Sequence, residues 1–235
     1  MSTLHSYYPV GVEIPNYVAN DVSTPSLLGI FVVTGSIVLL TSTSIAKYGN
    51  PRISQCDLAI VFWFALCGTI HTILEGYYAL YPTTLAGSNH ILSQLWKEYS
   101  LSDSRYLLND SFVWSMESIT AVFWGPLSFL LVALIIKSHP LRHPLQTIVS
   151  LGQLYGDVLY YGTCAFQFMV YGVEYSRPEG YYFWGYFVFL NMFWIVVPLV
   201  LLLSSVRASC RAFAFVAAVE SKICAQPNGK LKKML

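Results

Sequence analysis

Residues 58–81 are LAIVFWFALCGTIHTILEGYYALY, an apolar segment long enough to cross a lipid bilayer as a helix, which takes about 20 residues. Two ionisable residues lie within it, His71 and Glu75, and their four-residue spacing puts both on one helical face. Ionisable side chains inside a membrane turn away from lipid and toward neighbouring helices. The segment therefore predicts one helix of a membrane-embedded bundle with a polar interior.

The composition of the whole chain is typical of a membrane protein. Of its 235 residues, 55% are hydrophobic and 11% are charged, and the mean hydropathy is +0.55. Soluble domains carry about 25% charged residues, so too little polar surface is available here to coat a water-soluble globule. The net charge of +1, with no basic stripe, predicts no nucleic-acid partner, and membrane lipid is the expected surrounding.

Five segments meet the requirements for a helix that spans hydrocarbon, at about residues 27–45, 58–81, 112–136, 145–171 and 181–203. The predicted fold class is an all-α integral membrane protein with five transmembrane helices in a bundle. Residues 1–26 form an N-terminal segment, residues 27–207 the transmembrane domain, and residues 208–235 a C-terminal tail.

The positions of lysine and arginine predict the orientation in the membrane. With a lumenal N-terminus, the cytosolic segments hold ten basic residues and the lumenal segments hold three, Lys97, Arg105 and Arg177, as the positive-inside rule expects. Near the C-terminus, Lys232 and Lys233 match the dilysine retrieval signal of endoplasmic-reticulum membrane proteins, which is recognised in the cytosol. A basic tail held by anionic lipid is the alternative. The prediction is an endoplasmic-reticulum membrane protein with a cytosolic C-terminus.

The connection at residues 82–110, the longest in the predicted topology, contains the segment HILSQLWKEY (90–99). Ile91, Leu95 and Tyr99 recur there at four-residue steps. This spacing predicts a short helix that either lies at the membrane interface or caps the bundle.

Four of the predicted spans carry a polar face. The residues are His71 and Glu75; Glu117 and Thr120; Gln153, Asp157 and Tyr160; and Asn191 and Trp194. At about 1.5 Å per residue, the antiparallel arrangement puts the two glutamates at one depth, with the histidine and the asparagine below them. The faces therefore predict one common buried site.

Polar contacts between helices also hold membrane bundles together, and this structural alternative stays open for the amides and hydroxyls. It is favoured for Asp157, because Gly156 beside it suggests close helix packing. It is less favoured for His71, Glu75 and Glu117, since these are ionisable, and an aspartate or a basic residue at a helix centre costs roughly 2.5–3.5 kcal/mol.

The residue types indicate proton-transfer chemistry on a lipophilic substrate. Two carboxyl groups close together in a low dielectric cannot both ionise, so at least one is expected to hold a proton. With Trp194 as a cation-binding face, the set suits protonation of an alkene, a transient carbocation and loss of another proton. A metal site is not predicted, because there is no H-E-x-x-H motif and one intramembrane histidine is too few for zinc. A transporter is disfavoured, because few polar residues are expected in the cytosolic half.

Several segments resemble the emopamil-binding protein family, the sterol Δ8–Δ7 isomerases of animals and plants. They are CGTIHTILEGYYALY (67–81), SQLWKEYSLSDSRYLLND (93–110), MESITAVFWGP (116–126), HPLRHPLQ (139–146), GQLYGDVLYY (152–161) and YFVFLNMFW (186–194). They follow the family order over most of residues 67–194, and the loop LWKEY…DSRY together with IHxxxEG is the most specific part.

The resemblance implies an enzyme that moves a sterol double bond from C8–C9 to C7–C8 with no redox cofactor and no metal. The implied catalytic residues are His71, Glu75, Glu117, Thr120, Asn191 and Trp194, and all six residue types are retained. Further candidates for substrate binding are Tyr106, Gln153, Asp157 and Tyr160. The implied partners are a Δ8 sterol, cationic amphiphilic inhibitors, a second copy of the chain and a reductase of the sterol pathway. The alternative is a non-catalytic protein that binds sterols or cationic amphiphiles on the same scaffold.

Overall fold

The structure is a computed structural model that describes residues 5–224, and within this range it is helical and contains no β-strand. Its long elements are α1 (Thr24–Gly49), α2 (Gln55–Leu80), α3 (Ile91–Tyr99), α4 (Ser111–Ile136), α5 (Arg142–Tyr171) and α6 (Tyr181–Cys224). Single turns of 3₁₀ helix occur at Leu85–Gly87 and Ser104–Leu107. The all-helical fold class is confirmed.

Four helices, α1, α2, α4 and α6, are long and apolar enough to cross a membrane. Helix α5 has 30 residues and stands where the fourth span was predicted, but it is more polar than the other four. Length and composition therefore support four of the five predicted spans.

Helix α6 runs to Cys224, beyond the predicted end of the last span at residue 203 and into the segment predicted as a separate tail. Residues 204–224 contain neither proline nor glycine, so nothing interrupts the helical hydrogen bonds. The prediction took the end of the apolar run for the end of the helix. The proposed dilysine signal, Lys232 and Lys233, lies outside the described residues.

Three helices wind locally into wider π turns beside predicted site residues, at residues 70–75 of α2, 120–124 of α4 and 182–190 of α6. Such turns are rare and frequently mark functional sites. The turns of α2 and α4 contact each other. Gly125 makes this contact possible, because a Cβ at that position would collide with the side chain of Thr72.

Helices α2, α4, α5 and α6 pack around one apolar core, which includes Phe64, Leu131, Val149 and Leu201. Helix α1 packs on the outside against α2 and buries only a few of its own side chains. The interior that could hold a site therefore lies among the other four long helices.

Residues 5–22 and 82–110 form a cap over one end of the bundle. The Tyr7 hydroxyl donates to the backbone carbonyl of Lys97 at 2.9 Å. The side-chain oxygen of Gln94 accepts two backbone N–H groups of the N-terminal segment, at 3.0 and 2.9 Å. The predicted short helix is confirmed as α3, and its burial shows that it caps the bundle.

Lys97 and Arg105 are both buried within this cap. The Lys97 ammonium donates to the carbonyls of Val18 at 2.7 Å and Ser88 at 2.9 Å. Burial lowers the pKa of Lys97, and these carbonyls replace the water that its charge would otherwise bind. Arg105 forms an ion pair with Asp103 at 2.6 Å. The basic residues of the LWKEY and DSRY motifs thus hold the cap together.

Candidate active site

His71 and Glu75 form the centre of the candidate site, within the π turn of α2. The Nδ1 atom of His71 lies 2.8 and 2.7 Å from the two carboxylate oxygens of Glu75. The two residues are 2% and 8% exposed. The shared face that their spacing predicted is confirmed, and the contact is a direct hydrogen bond.

Glu117 and Thr120 bring α4 to the same cluster. The Thr120 hydroxyl donates to the Glu75 carboxylate and lies 2.9 Å from the backbone carbonyl of Glu117. Thr120 thus links the carboxyl group of Glu75 on α2 to the backbone of Glu117 on α4. The predicted convergence of two glutamates from different helices is therefore present in the fold.

Tyr106 of the cap bonds to this cluster. Its hydroxyl donates to a carboxylate oxygen of Glu117 at 2.6 Å. Burial raises the pKa of Tyr106, so the hydroxyl keeps its proton and stays a donor. Tyr106 was predicted to bind substrate, whereas the observed contact is with a carboxyl group of the protein.

Gln153 of α5 contacts the second imidazole nitrogen. Its Nε2 atom lies 3.2 Å from the Nε2 atom of His71. An amide that donates to Nε2 leaves the imidazole proton on Nδ1, where it points at Glu75. The contact thus selects one tautomer of His71.

Helices α5 and α6 are antiparallel, and the hydrogen bond from the Gln146 amide to the Leu201 carbonyl, at 3.3 Å, sets their register. In this register, Trp194 stands level with Gln153. The ring of Trp194 packs against Trp63, with centroids 5.6 Å apart. Trp194 is therefore at the height of His71, on the α6 side of the bundle.

Asn191 is held by the cap and by its own helix. Its amide nitrogen donates to the Tyr99 hydroxyl at 2.9 Å and to the Phe187 carbonyl at 2.7 Å. Within residues 5–224, neither Asn191 nor Trp194 bonds to a carboxyl group of α2 or α4. The other four predicted catalytic residues are linked by hydrogen bonds within α2 and α4, whereas Asn191 and Trp194 lie on α6 and contact other residues.

Asp157 and Tyr160 continue the buried face of α5 toward the cap, at 8% and 1% exposure. The interpretation that Gly156 marks close helix packing is wrong, because a Cβ at Gly156 would meet nothing within 4 Å. The close approach is one turn earlier, where Gly152 lies under the ring of Trp124.

The sequence reasoning missed two aromatic residues of this region, Tyr99 and Trp63. Tyr99 lies at the end of the amphipathic helix α3, and its place in the LWKEY motif was the available signal. Trp63 gave no signal, because an aromatic residue in an apolar span has no distinguishing pattern.

The sequence of this chain is similar to those of known proteins over the region that contains the candidate site. The family model EBP, described as EXPERA (EXPanded EBP superfamily), matches residues 91–205. The mouse (Mus musculus) 3-beta-hydroxysteroid-Delta(8),Delta(7)-isomerase is 42% identical over 211 residues, which covers 87% of this chain and 88% of the mouse protein. This chain belongs to the emopamil-binding protein family.

More distant relatives include plant proteins. The probable 3-beta-hydroxysteroid-Delta(8),Delta(7)-isomerase of rice (Oryza sativa subsp. japonica) is 34% identical, over 89% of this chain and 94% of the rice protein. The protoglabretal synthase of Citrus sinensis is 32% identical, over 78% of this chain and 84% of that protein. Relatives of this chain at similar identity thus carry the names of two different enzymes. The match to the mouse isomerase covers 87% of this chain. A match of that length must include residues 71–194, which contain the predicted catalytic residues.

Proposed function

We propose that this protein is a sterol Δ8–Δ7 isomerase of the endoplasmic-reticulum membrane. The observation that carries the proposal is the buried cluster of polar side chains where α2 meets α4. His71 and Thr120 bond to the carboxyl group of Glu75. Thr120 also contacts the backbone carbonyl of Glu117, whose own carboxyl group accepts from Tyr106. Family membership adds the reaction class, because relatives that match most of the chain carry the name of this isomerase.

In the proposed reaction, one acid of the His71, Glu75 and Glu117 cluster adds a proton to C9 of the sterol. The cation that forms at C8 is stabilised by the remaining carboxylate charge and by the face of Trp194. A base of the same cluster then removes the C7 proton, and the C7–C8 double bond forms. Cation–π contact supplies about 2 kcal/mol when desolvated, so the carboxylate contributes most of the stabilisation.

The hydroxyls and amides around the cluster have positioning roles in this scheme. Thr120 and Tyr106 each donate to a carboxylate, and Gln153 orients His71. Asp157, Tyr160 and Asn191 would line the space for the sterol on the cap side. Cationic amphiphiles would inhibit, since an ammonium held near C8 mimics the intermediate.

The proposed topology has five spans, a lumenal N-terminus and a cytosolic C-terminus. Its support is the distribution of charge. Lys97 and Arg105 are buried and paired inside the cap, and Arg177 pairs with Glu179. At the other end, Lys47, Arg52 and Lys137 are exposed, and Arg142 pairs with Asp57. This distribution of basic residues is the one expected if that end faces the cytosol. The proposed protein partners are a second copy of the chain, which forms a homodimer, and a reductase of the sterol pathway.

The test is to incubate the purified protein in nanodiscs with a Δ8 sterol such as zymostenol in deuterated water. The expected product is a Δ7 sterol with one deuterium at C9, seen by mass spectrometry. Absence of conversion by protein that still binds a cationic amphiphile tightly would instead indicate a sterol-binding protein without turnover.

A further inference from the structure

Five side chains form one buried face along the length of α5, and each has a polar atom without a hydrogen-bond partner in the part of the chain that the structure describes. The atoms are Gln146 Oε1, Ser150 Oγ, Gln153 Oε1, Asp157 Oδ2 and the Tyr160 hydroxyl. All five residues are at most 8% exposed. Their spacing alternates between four and three residues, which stacks them on a single helical face.

Such a row of buried polar atoms destabilises the fold unless each atom has a hydrogen-bond partner. A buried polar group without a partner costs about 1–3 kcal/mol, and five in line would cost several times that amount. Buried water satisfies groups of this kind when it finds two to four polar partners. Successive members of the row are about 4.5–6 Å apart along the helix axis, a gap that one water molecule can bridge.

The row connects the candidate site with one end of the bundle. Gln153 contacts His71 at 3.2 Å. Below it, Ser150 and Gln146 lead to the start of α5, where half-buried His143 contacts Ser205 at 3.3 Å. This part of the row lies in the half of the bundle away from the cap.

We infer that Gln146, Ser150 and Gln153 line a chain of water that carries protons between His71 and the end of the bundle opposite the cap. The inference rests on the proposed isomerase function. In each turnover one proton is added at C9 and one is removed from C7, so none is consumed. The cluster must still release the C7 proton and regain one for C9, and the water chain exchanges both with the aqueous phase. Asp157 and Tyr160 lie on the cap side of His71, in the space assigned to the sterol.

The first test compares Ser150→Val with Ser150→Thr in deuterated water, because the two new side chains have the same shape and differ only in the hydroxyl. In the wild-type protein, nearly every product molecule should carry deuterium at C9, because the acid exchanges with solvent between turnovers. Ser150→Val interrupts the chain, so protium taken from C7 of one substrate is passed to C9 of the next, and most of the label should be lost. Ser150→Thr keeps the hydroxyl and should keep the label. Equal labelling in both variants would overturn the inference.

A second measurement does not depend on turnover, so that failure of the function and failure of the water chain can be told apart. The S–H infrared band of Ser150→Cys should shift to the S–D position as soon as the protein meets deuterated water. Ser42→Cys, at a buried position on α1, should shift slowly. Slow exchange at both positions would exclude the water chain even if the enzyme is active. Fast exchange at Ser150→Cys alone would support it even in protein that converts no sterol.

Discussion

At the scale of single residues, the candidate site contains two carboxyl groups from different helices, and each accepts a hydrogen bond from a hydroxyl group. Glu75 accepts from His71 and Thr120, and Glu117 accepts from Tyr106. A neutral amide has nearly the same shape as a carboxyl group but can neither give up nor take a proton in this role. Replacement of glutamate by glutamine therefore separates chemistry from packing.

We expect Glu75→Gln and Glu117→Gln each to lower kcat by about 100-fold or more, the usual contribution of a general acid or base. Membrane insertion and thermal stability in detergent should stay close to those of the wild type. Conversion of a Δ8 sterol, measured by mass spectrometry, checks this. Wild-type rates in either variant would remove that carboxyl group from the mechanism.

Trp194 provides a second prediction at this scale. A cation–π contact of about 2 kcal/mol corresponds to a rate factor on the order of 30. Trp194→Phe keeps an aromatic face and should lose less of kcat than Trp194→Ala. If the two variants lose the same amount, Trp194 acts only by packing against Trp63.

At the scale of helices, the site is built by close approach between elements. Gly152 of α5 lies against the ring of Trp124 on α4, and a Cβ there would overlap the ring. Gly156, one turn further on, faces open space. The same substitution at both positions therefore shows how much the close contact between Gly152 and Trp124 matters for stability.

Gly152→Ala should destabilise the protein by about 1–3 kcal/mol, the usual cost of overpacking. It should also lower activity, because it moves Gln153 relative to His71. Gly156→Ala should be neutral or slightly stabilising, since alanine is the better helix former. Thermal unfolding in detergent checks both variants, and equal melting temperatures would contradict the packing described for α4 and α5.

At the scale of the whole molecule, charge is distributed unevenly between the two ends of the bundle. At the cap end, Lys97, Arg105 and Arg177 are each bonded to oxygen atoms of the protein. At the other end, Lys47 and Lys137 are exposed. The positive-inside rule then predicts which end faces the cytosol.

In sealed microsomes, we expect an N-terminal tag to be protected from added protease and a C-terminal tag to be cleaved. Lys232→Ser combined with Lys233→Ser should let the protein leave the endoplasmic reticulum, as seen by fluorescence microscopy. Cleavage of the N-terminal tag in intact vesicles would reverse the proposed orientation. If the double variant stays in the endoplasmic reticulum, the two lysines are not a retrieval signal, and binding of the basic tail to anionic lipid is the alternative.

The sequence by itself determined the all-helical membrane class, the short helix α3 and the polar faces that carry His71, Glu75, Glu117 and Thr120. These features follow from hydropathy and from periodicities of three and four residues, which are local properties of a helix. The continuation of α6 beyond residue 203 escaped this reasoning, because the end of an apolar run is not a helix stop signal.

The tertiary structure alone decided which side chains meet. The contact between Gln153 and His71 joins residues far apart in the chain, and Tyr106 reaches Glu117 only because the cap folds back onto the bundle. The close contact of α5 is at Gly152 rather than Gly156 for the same reason. Helix rotation and register are set by packing among all the neighbouring helices, and the pattern of any one segment leaves both undetermined.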